Sequence, residues 1–119
     1  MHALIIEQDA WIAMSIEAVL ADLGYTSFDY AVCGQDALTL AARRCPDLIT
    51  SDIRFGGSDG IETVRAICAH RHFIPVVFVT ATGWEVRQRS PNAAVVQMPF
   101  SPDALKGGVE LAMATQSPI

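Results

Sequence analysis

The segment Pro46-Asp47-Leu48-Ile49-Thr50-Ser51-Asp52-Ile53-Arg54-Phe55-Gly56-Gly57-Ser58-Asp59-Gly60 decides how the rest of the chain is read. Leu48, Ile49 and Ile53 are apolar and β-favouring, so the segment opens as a short buried strand. Asp52 falls where that strand meets solvent. Gly56, Gly57 and Gly60 give the following loop access to positive φ angles. Asp59 is placed to cap a helix, and Glu62 three residues on completes a capping-box pattern. Ligands of open α/β sheets bind beyond the carboxyl ends of the strands. Asp52 therefore has the placement of a reacting group.

Upstream, Ala3-Leu4-Ile5-Ile6 is a compact apolar run, read as the first strand, and it stops at Glu7-Gln8-Asp9. Ile12, Ile16, Val19, Leu20 and Leu23 then share one face at helical spacing, and Gly24 suits the position just past the helix end. Tyr25 to Ala31 reads as a second strand, and Gln35 to Arg44 as an alanine-rich helix closed by Pro46. Downstream, the helix after Asp59 buries Ile61, Val64, Ile67 and Cys68. Pro75 opens a fourth strand, Val76 to Val79, and Ala94 to Gln97 forms a fifth. Ser101 caps the last helix with Pro102 in its first position. Leu105, Val109 and Ala112 form the inner face of that helix, which Gly107-Gly108 weakens. Between the fourth and fifth strands, Thr82 to Asn92 leaves room for a helical stub or an ordered loop only. Strands and helices that alternate in this way make a parallel sheet covered on both faces.

Composition narrows the function. At 119 residues the length suits one domain, 1–119, and no internal repeat or linker is visible. With 51% hydrophobic and 18% charged residues, a folded core is expected. A net charge of −5 argues against DNA or RNA binding, which needs a basic face. No apolar run approaches membrane-spanning length and no signal-peptide pattern opens the chain, so a cytoplasmic location with no membrane contact is expected. Cys33, Cys45 and Cys68 form no CxxC pair, and read as reduced core or near-core thiols. His2, His70 and His72 are scattered and read as structural rather than catalytic.

In a parallel sheet, the groups that follow each strand gather on one edge. Here they are Glu7, Gln8 and Asp9, then Asp52, Thr80, and Gln97-Met98-Pro99. Such an oxygen-rich cluster suits a hard divalent cation such as Mg²⁺. An ionised Asp52 beside the metal can attack a phosphoryl donor and form an acyl phosphate. The transition state is loose and highly charged, so positioning and electrostatics do most of the work.

With those residues in place the chain resembles the response-regulator receiver domain of two-component signalling. The resemblance covers essentially its whole length. It rests on Glu7-Gln8-Asp9, the Pro46-Asp47-Leu48-Ile49 lead into Asp52, Gly57-Ser58-Asp59-Gly60, Thr80-Ala81 and Pro99-Phe100-Ser101-Pro102. It implies a flavodoxin-like (CheY-like) three-layer α/β/α sandwich, with a five-stranded parallel sheet in the order 2-1-3-4-5. It further implies that Asp52 is the phosphoacceptor, that Mg²⁺ is held by Glu7, Gln8, Asp52 and the backbone carbonyl of Arg54, and that Thr80-Ala81 carries the switch hydroxyl.

The chain departs from the family at three places. The second acidic slot after strand one holds Gln8, whose neutral amide weakens the metal site. Asp9 either slips into that role or caps the first helix. The family's lysine before Pro99 is Met98, and a thioether cannot pair with a phosphoryl group. Arg54 is the nearest cation, read either as a substitute or as a solvated loop arginine. The family's switch aromatic is Val95. Thr82-Gly83-Trp84 and the short interval after strand four instead resemble a divergent receiver subclass with a Thr-Gly-aromatic motif and a reduced fourth helix. That subclass is associated with unorthodox histidine kinases. Trp84 is then an aromatic reporter, or simply a cover for the sheet edge.

Two functions follow as expectations. One is a stand-alone receiver without an output domain. It takes a phosphoryl group from a sensor histidine kinase or phosphotransfer protein and switches contacts with a downstream protein. The other is a pseudo-receiver that binds its partner without phosphorylation. A phosphatase using Asp52 is disfavoured, because position 54 is an arginine that cannot act as general acid.

Overall fold

The central strands are too apolar to leave either face in water. In the computed structural model, which describes residues 1–69, 71 and 73–115, helices cover both faces. Along the chain lie β1 (His2–Ile6), α1 (Ala10–Asp22), β2 (Ser27–Ala31), α2 (Gly34–Arg43), β3 (Leu48–Ser51), β4 (Arg54–Phe55), β5 (Ser58–Asp59) and α3 (Gly60–Cys68). β6 (Val76–Thr80), α4 (Gly83–Arg89), β7 (Ala94–Gln97) and α5 (Pro102–Ala114) follow. Five parallel strands pair in the order β2-β1-β3-β6-β7, and β4-β5 form a separate antiparallel hairpin. Leaving the hairpin aside, this is the expected 2-1-3-4-5 sheet of a flavodoxin-like sandwich.

Side chains alternate across the sheet with the strand period of two. Ile5, Leu48, Val77, Val79 and Val96 face α1 and α5, where Ile16, Leu20, Leu105 and Val109 meet them. Leu4, Ile6, Ile49, Val76 and Phe78 face the other way, onto Ala37 and Ala41 of α2, Ile61, Val64 and Ile67 of α3, and Val86 of α4. Gly24, one residue past the C-cap Leu23, has φ 99°, as a helix-closing glycine should. Ser101 accepts the Ala104 N–H at 3.1 Å and Asp59 the Glu62 N–H at 3.0 Å, so both expected caps are formed.

Several local expectations are corrected. Strand β2 opens at Ser27 rather than Tyr25, because Tyr25 is buried and its N–H closes the preceding turn on Leu20 C=O. Helix α2 begins at Gly34: Ser58 Oγ accepts the Gly34 N–H at 2.9 Å, a cap that Cys33 does not supply. The short interval after β6 holds a seven-residue helix, α4, which is the expected stub. Gly60 does not use a positive φ. It is glycine because a Cβ there would lie 1.9 Å from the Asp52 carbonyl oxygen. Gly56 (φ 50°) and Gly57 (φ 77°) do, as the central pair of the two-residue turn joining β4 to β5.

Cys45 lies at the surface, while Cys33 and Cys68 are half-buried, and all three are free thiols. The His2 ring is buried between Ser27 Oγ (2.7 Å) and Asp29 Oδ2 (2.9 Å), pinning β1 to β2. His70 and His72 lie outside the described residues. No helix among the described residues is long and apolar enough to cross a membrane.

Candidate functional site

Parallel pairing brings the ends of β1 and β3 side by side. The Asp52 N–H donates to Ile6 C=O at 3.1 Å, so residues 7 and 52 leave the sheet together. Glu7 is buried. Its Oε1 accepts the Asp9 N–H at 3.0 Å, and its Oε2 is buried with no partner. Burial pushes the Glu7 carboxyl above the ordinary 4.5, with the charges of Asp52 and Asp9 adding to the effect. The backbone N–H groups of Asp9 and Gln8 oppose it. A desolvated carboxylate with an idle oxygen and another carboxylate alongside is a place where a cation lowers the energy.

Asp52 is half-buried. Its Oδ1 accepts the Ile53 N–H at 2.7 Å, and no ion pair engages it among the described residues. It is neither sealed nor neutralised by a neighbour. Ser51 Oγ donates to the Asp52 carbonyl at 2.7 Å and steadies the strand end.

The remaining acidic-cluster residues have other partners. Asp9 Oδ1 accepts the N–H groups of Trp11 (2.8 Å) and Ile12 (3.2 Å), so it is the cap of α1. Gln8 Oε1 accepts the Gly56 N–H at 2.7 Å and ties the β4–β5 turn to the end of β1. Among the described residues no three His, Cys, Asp or Glu side chains cluster as a metal site. Glu7 and Asp52 alone supply carboxylates, and the Arg54 carbonyl follows two residues after Asp52 on the chain. That donor set suits a weakly held, oxygen-loving cation.

On the other flank, Thr80 closes β6 and is buried. Its Oγ1 accepts the Thr82 N–H at 3.2 Å and lies 3.3 Å from Thr82 Oγ1. Ala81 is exposed. Met98 donates its N–H to Thr80 C=O at 2.9 Å, while its side chain packs against the core on the α1/α5 side. The position that holds lysine in the resembled family is here a half-buried apolar plug.

Arg54 reaches α4 rather than Asp52: its Nη2 lies 2.6 Å from Glu85 Oε2, with the side chain two-thirds exposed. Glu85 Oε2 also takes Arg89 at 3.2 Å, and Arg89 pairs with Asp59 Oδ2 at 2.7 Å. Burial alone would raise the Asp59 carboxyl. The Arg89 hydrogen bond and charge, with the N–H groups of Glu62 and Ile61, hold it below the ordinary 3.8. This chain of ions fastens the hairpin to α4. Trp84, in the first turn of α4, is 60% exposed and Trp11 is 79% exposed, so neither is a core residue.

Sequence reasoning missed three features: the β4–β5 hairpin, the Glu85–Arg89 network, and the side-chain bonds of Gln97 to the loop after β6. The Gly56-Gly57 pair was a readable signal for a two-residue hairpin turn. Glu85 and Arg89 at i,i+4 were a readable pair. Their reach to Arg54 and Asp59 depends on the packing of α4 beside the hairpin.

A family model described as the response regulator receiver domain matches residues 3–100. The transcriptional regulatory protein PdtaR of Mycobacterium tuberculosis is 33% identical over 117 residues, covering 95% of this chain and 57% of PdtaR. The anti-anti-sigma factor PhyR from Bartonella quintana superposes with a TM-score of 0.81 at 30% identity, over 95% of this chain and 47% of that one. The receiver domain of Erythrobacter litoralis PhyR superposes with a TM-score of 0.82 at 29% identity, over 99% and 94%. The chain thus spans about half the length of the full-length relatives it matches.

Proposed function

The chain belongs to the response regulator receiver domain family, and from that premise we propose that Asp52 accepts a phosphoryl group from a histidine kinase or phosphotransfer protein. The observation that carries this reading is the pair at the ends of β1 and β3. Among the described residues, Asp52 is accessible and free of ion pairs, beside a buried Glu7 with an unpartnered oxygen. An Asp52 carboxylate oxygen forms a bond to phosphorus as the phosphorus–nitrogen bond of the phosphohistidine breaks, leaving an acyl phosphate and a free imidazole. Glu7, Asp52 and the Arg54 carbonyl would hold Mg²⁺, which when bound offsets the charge of the phosphoryl oxygens. Thr80 then donates its hydroxyl proton to a phosphoryl oxygen. Output passes through protein contacts; one similar protein, PhyR of Bartonella quintana, is an anti-anti-sigma factor.

Treatment with acetyl phosphate and Mg²⁺, followed by intact mass measurement, tests this. One phosphoryl group is expected on the wild type and none on Asp52→Asn. Equal absence of modification in both refutes it.

A second reading is supported by two particular observations: the Gln8 oxygen is committed to Gly56, and Met98 packs into the core. Both remove charge from the site. A phosphorylation-independent binding module would give no Trp11 fluorescence change on Mg²⁺ titration, whereas a receiver gives a saturable one.

A further inference from the structure

Gln97 is the last residue of β7 and sits directly opposite Thr80 in the sheet. Its carboxamide does not point away from the molecule. Nε2 donates to Ala81 C=O at 2.5 Å and Oε1 accepts the Gly83 N–H at 3.1 Å. Only this orientation of the amide satisfies both partners, because a carbonyl must accept and an N–H must donate. Together with Met98 N–H on Thr80 C=O and Thr82 N–H on Thr80 Oγ1, the two bonds engage Thr80 C=O, Ala81 C=O, Thr82 N–H and Gly83 N–H along the turn. The Gln97 amide extends the sheet by one rung onto a loop that has no strand to pair with.

We infer that Gln97 is a positioning residue for the Thr80 hydroxyl, holding the turn so that Thr80 accepts from Thr82 and keeps its own proton to donate toward Asp52. The inference rests on the phosphoacceptor reading of Asp52. After it accepts the Thr82 N–H, the Thr80 oxygen has a proton engaged at most by Thr82 Oγ1, 3.3 Å away. A bond that long is weak and easily exchanged for one to a phosphoryl oxygen.

Residue 83 supports the same reading. A Cβ there would stand 2.7 Å from Gln97 Oε1 and 3.1 Å from Val95 Cγ1. The space a side chain would fill is where the amide sits, and the φ of Gly83 is not positive. Gly83→Ala therefore leaves the backbone conformation allowed while evicting the clamp. It also favours α4 intrinsically, since alanine replaces glycine. Two substitutions on different elements should thus produce one defect.

Gln97 is at the solvent edge, so water competes for its amide and the effect is a few-fold. Losing the clamp shifts the ordering of the turn to the moment when the phosphoryl oxygen binds. A drop of about threefold to tenfold in affinity for a phosphoryl mimic is expected, the range of one modest hydrogen bond.

The test titrates the full chain with fluoroberyllate and Mg²⁺, followed by fluorine NMR, in wild type, Gln97→Met, Gly83→Ala and the double variant. Each single variant should lose the same factor, and the double should lose no more than either. Mg²⁺ affinity alone, read by Trp11 fluorescence, should be unchanged in all three, and the Thr82 and Gly83 amide signals should shift. In a Thr80→Val background, Gln97→Met should have no further effect. If wild type binds fluoroberyllate and Gln97→Met binds it equally, the positioning role is wrong and the phosphoacceptor reading stands. A parallel fall in Mg²⁺ affinity and melting temperature would also overturn it, because that marks general loosening. If wild type binds no fluoroberyllate and gains no phosphoryl mass, the phosphoacceptor reading fails and takes this one with it.

Discussion

Replacing Gly60 by alanine should damage the fold at the point that presents Asp52. Gly60 is the first residue of α3, and its N–H donates to Ile53 C=O at 2.7 Å. A Cβ on residue 60 would lie 1.9 Å from the Asp52 carbonyl oxygen, 2.9 Å from the Asp52 carbonyl carbon and 2.9 Å from Ile53 Cα. All three are backbone atoms, so no side chain can rotate away. Relieving the closest contact to a tolerable separation needs a shift of roughly 1 Å between the end of β3 and the start of α3, in a core that is close-packed. That shift stretches the Gly60–Ile53 hydrogen bond beyond reach, leaving a donor and an acceptor short of partners at about 1–3 kcal/mol. Loosened packing of Ile61 adds about 1 kcal/mol more. The helix-forming advantage of alanine returns at most about 1 kcal/mol. The net expectation is a loss of about 1–3 kcal/mol, an appreciable part of a typical domain's stability. Urea unfolding followed by circular dichroism measures it. Modification of Asp52 by acetyl phosphate should slow in the fraction that remains folded. A Gly60→Ala protein within about 0.5 kcal/mol of wild type, the scatter of an ordinary surface substitution, would show that the approach of α3 to β3 does not matter as argued.

Other expectations concern single groups. Thr50 is fully buried and its hydroxyl has no partner, so Thr50→Val should stabilise the protein by about 1 kcal/mol in the same urea assay. The Asp59 carboxyl is held below its ordinary 3.8 chiefly by Arg89, so the ionised form stabilises the fold above that value and the contribution disappears as pH falls through the lowered one. Asp59→Asn keeps a helix cap but loses the pair. It should cost up to about 1 kcal/mol near neutral pH and nothing in strong acid, read from melts across pH. Gln8→Asp should raise Mg²⁺ affinity about tenfold by adding a charge to the site, with Trp11 fluorescence as the readout. The same change removes the Gly56 tether, so hydrogen exchange in the β4–β5 turn should quicken.

The sheet was legible in the sequence because its signal is local. Ile5, Leu48, Val77 and Val96 lie in apolar runs bounded by turn residues, and α1, α3 and α5 each carry their own side-chain cap. Asp52 and Glu7 were legible because strand ends in a parallel sheet share an edge whatever the packing details. The partners of Gln8, Arg54 and Gln97 were not. An amide or guanidinium at a strand end reads the same whether it faces a ligand, solvent or a loop 31 or 48 residues away in the chain. Gly60 shows the same limit from another side. Its glycine was read as a demand for positive φ, whereas the cause is a backbone approach from Asp52, which no dipeptide rule encodes.

The neutral amides on either flank of Asp52 have a common electrostatic logic. Glu7 is already raised by burial and by Asp52, and its Oε2 has no hydrogen bond to offset that. A third carboxylate at position 8 would add repulsion in the half-buried region where charges interact most strongly. Gln8 avoids this, and its oxygen instead satisfies the Gly56 N–H and holds the hairpin that follows Asp52. On the far side Gln97 satisfies the loop that follows Thr80, again without charge. The cations nearby are drawn outward, Arg54 to Glu85 and Arg89 to Asp59 and Glu85. The two loops beside Asp52 are thus ordered by hydrogen bonds that do not depend on a bound ion, and Glu7 and Asp52 are left as the carboxylates whose energy a cation would lower.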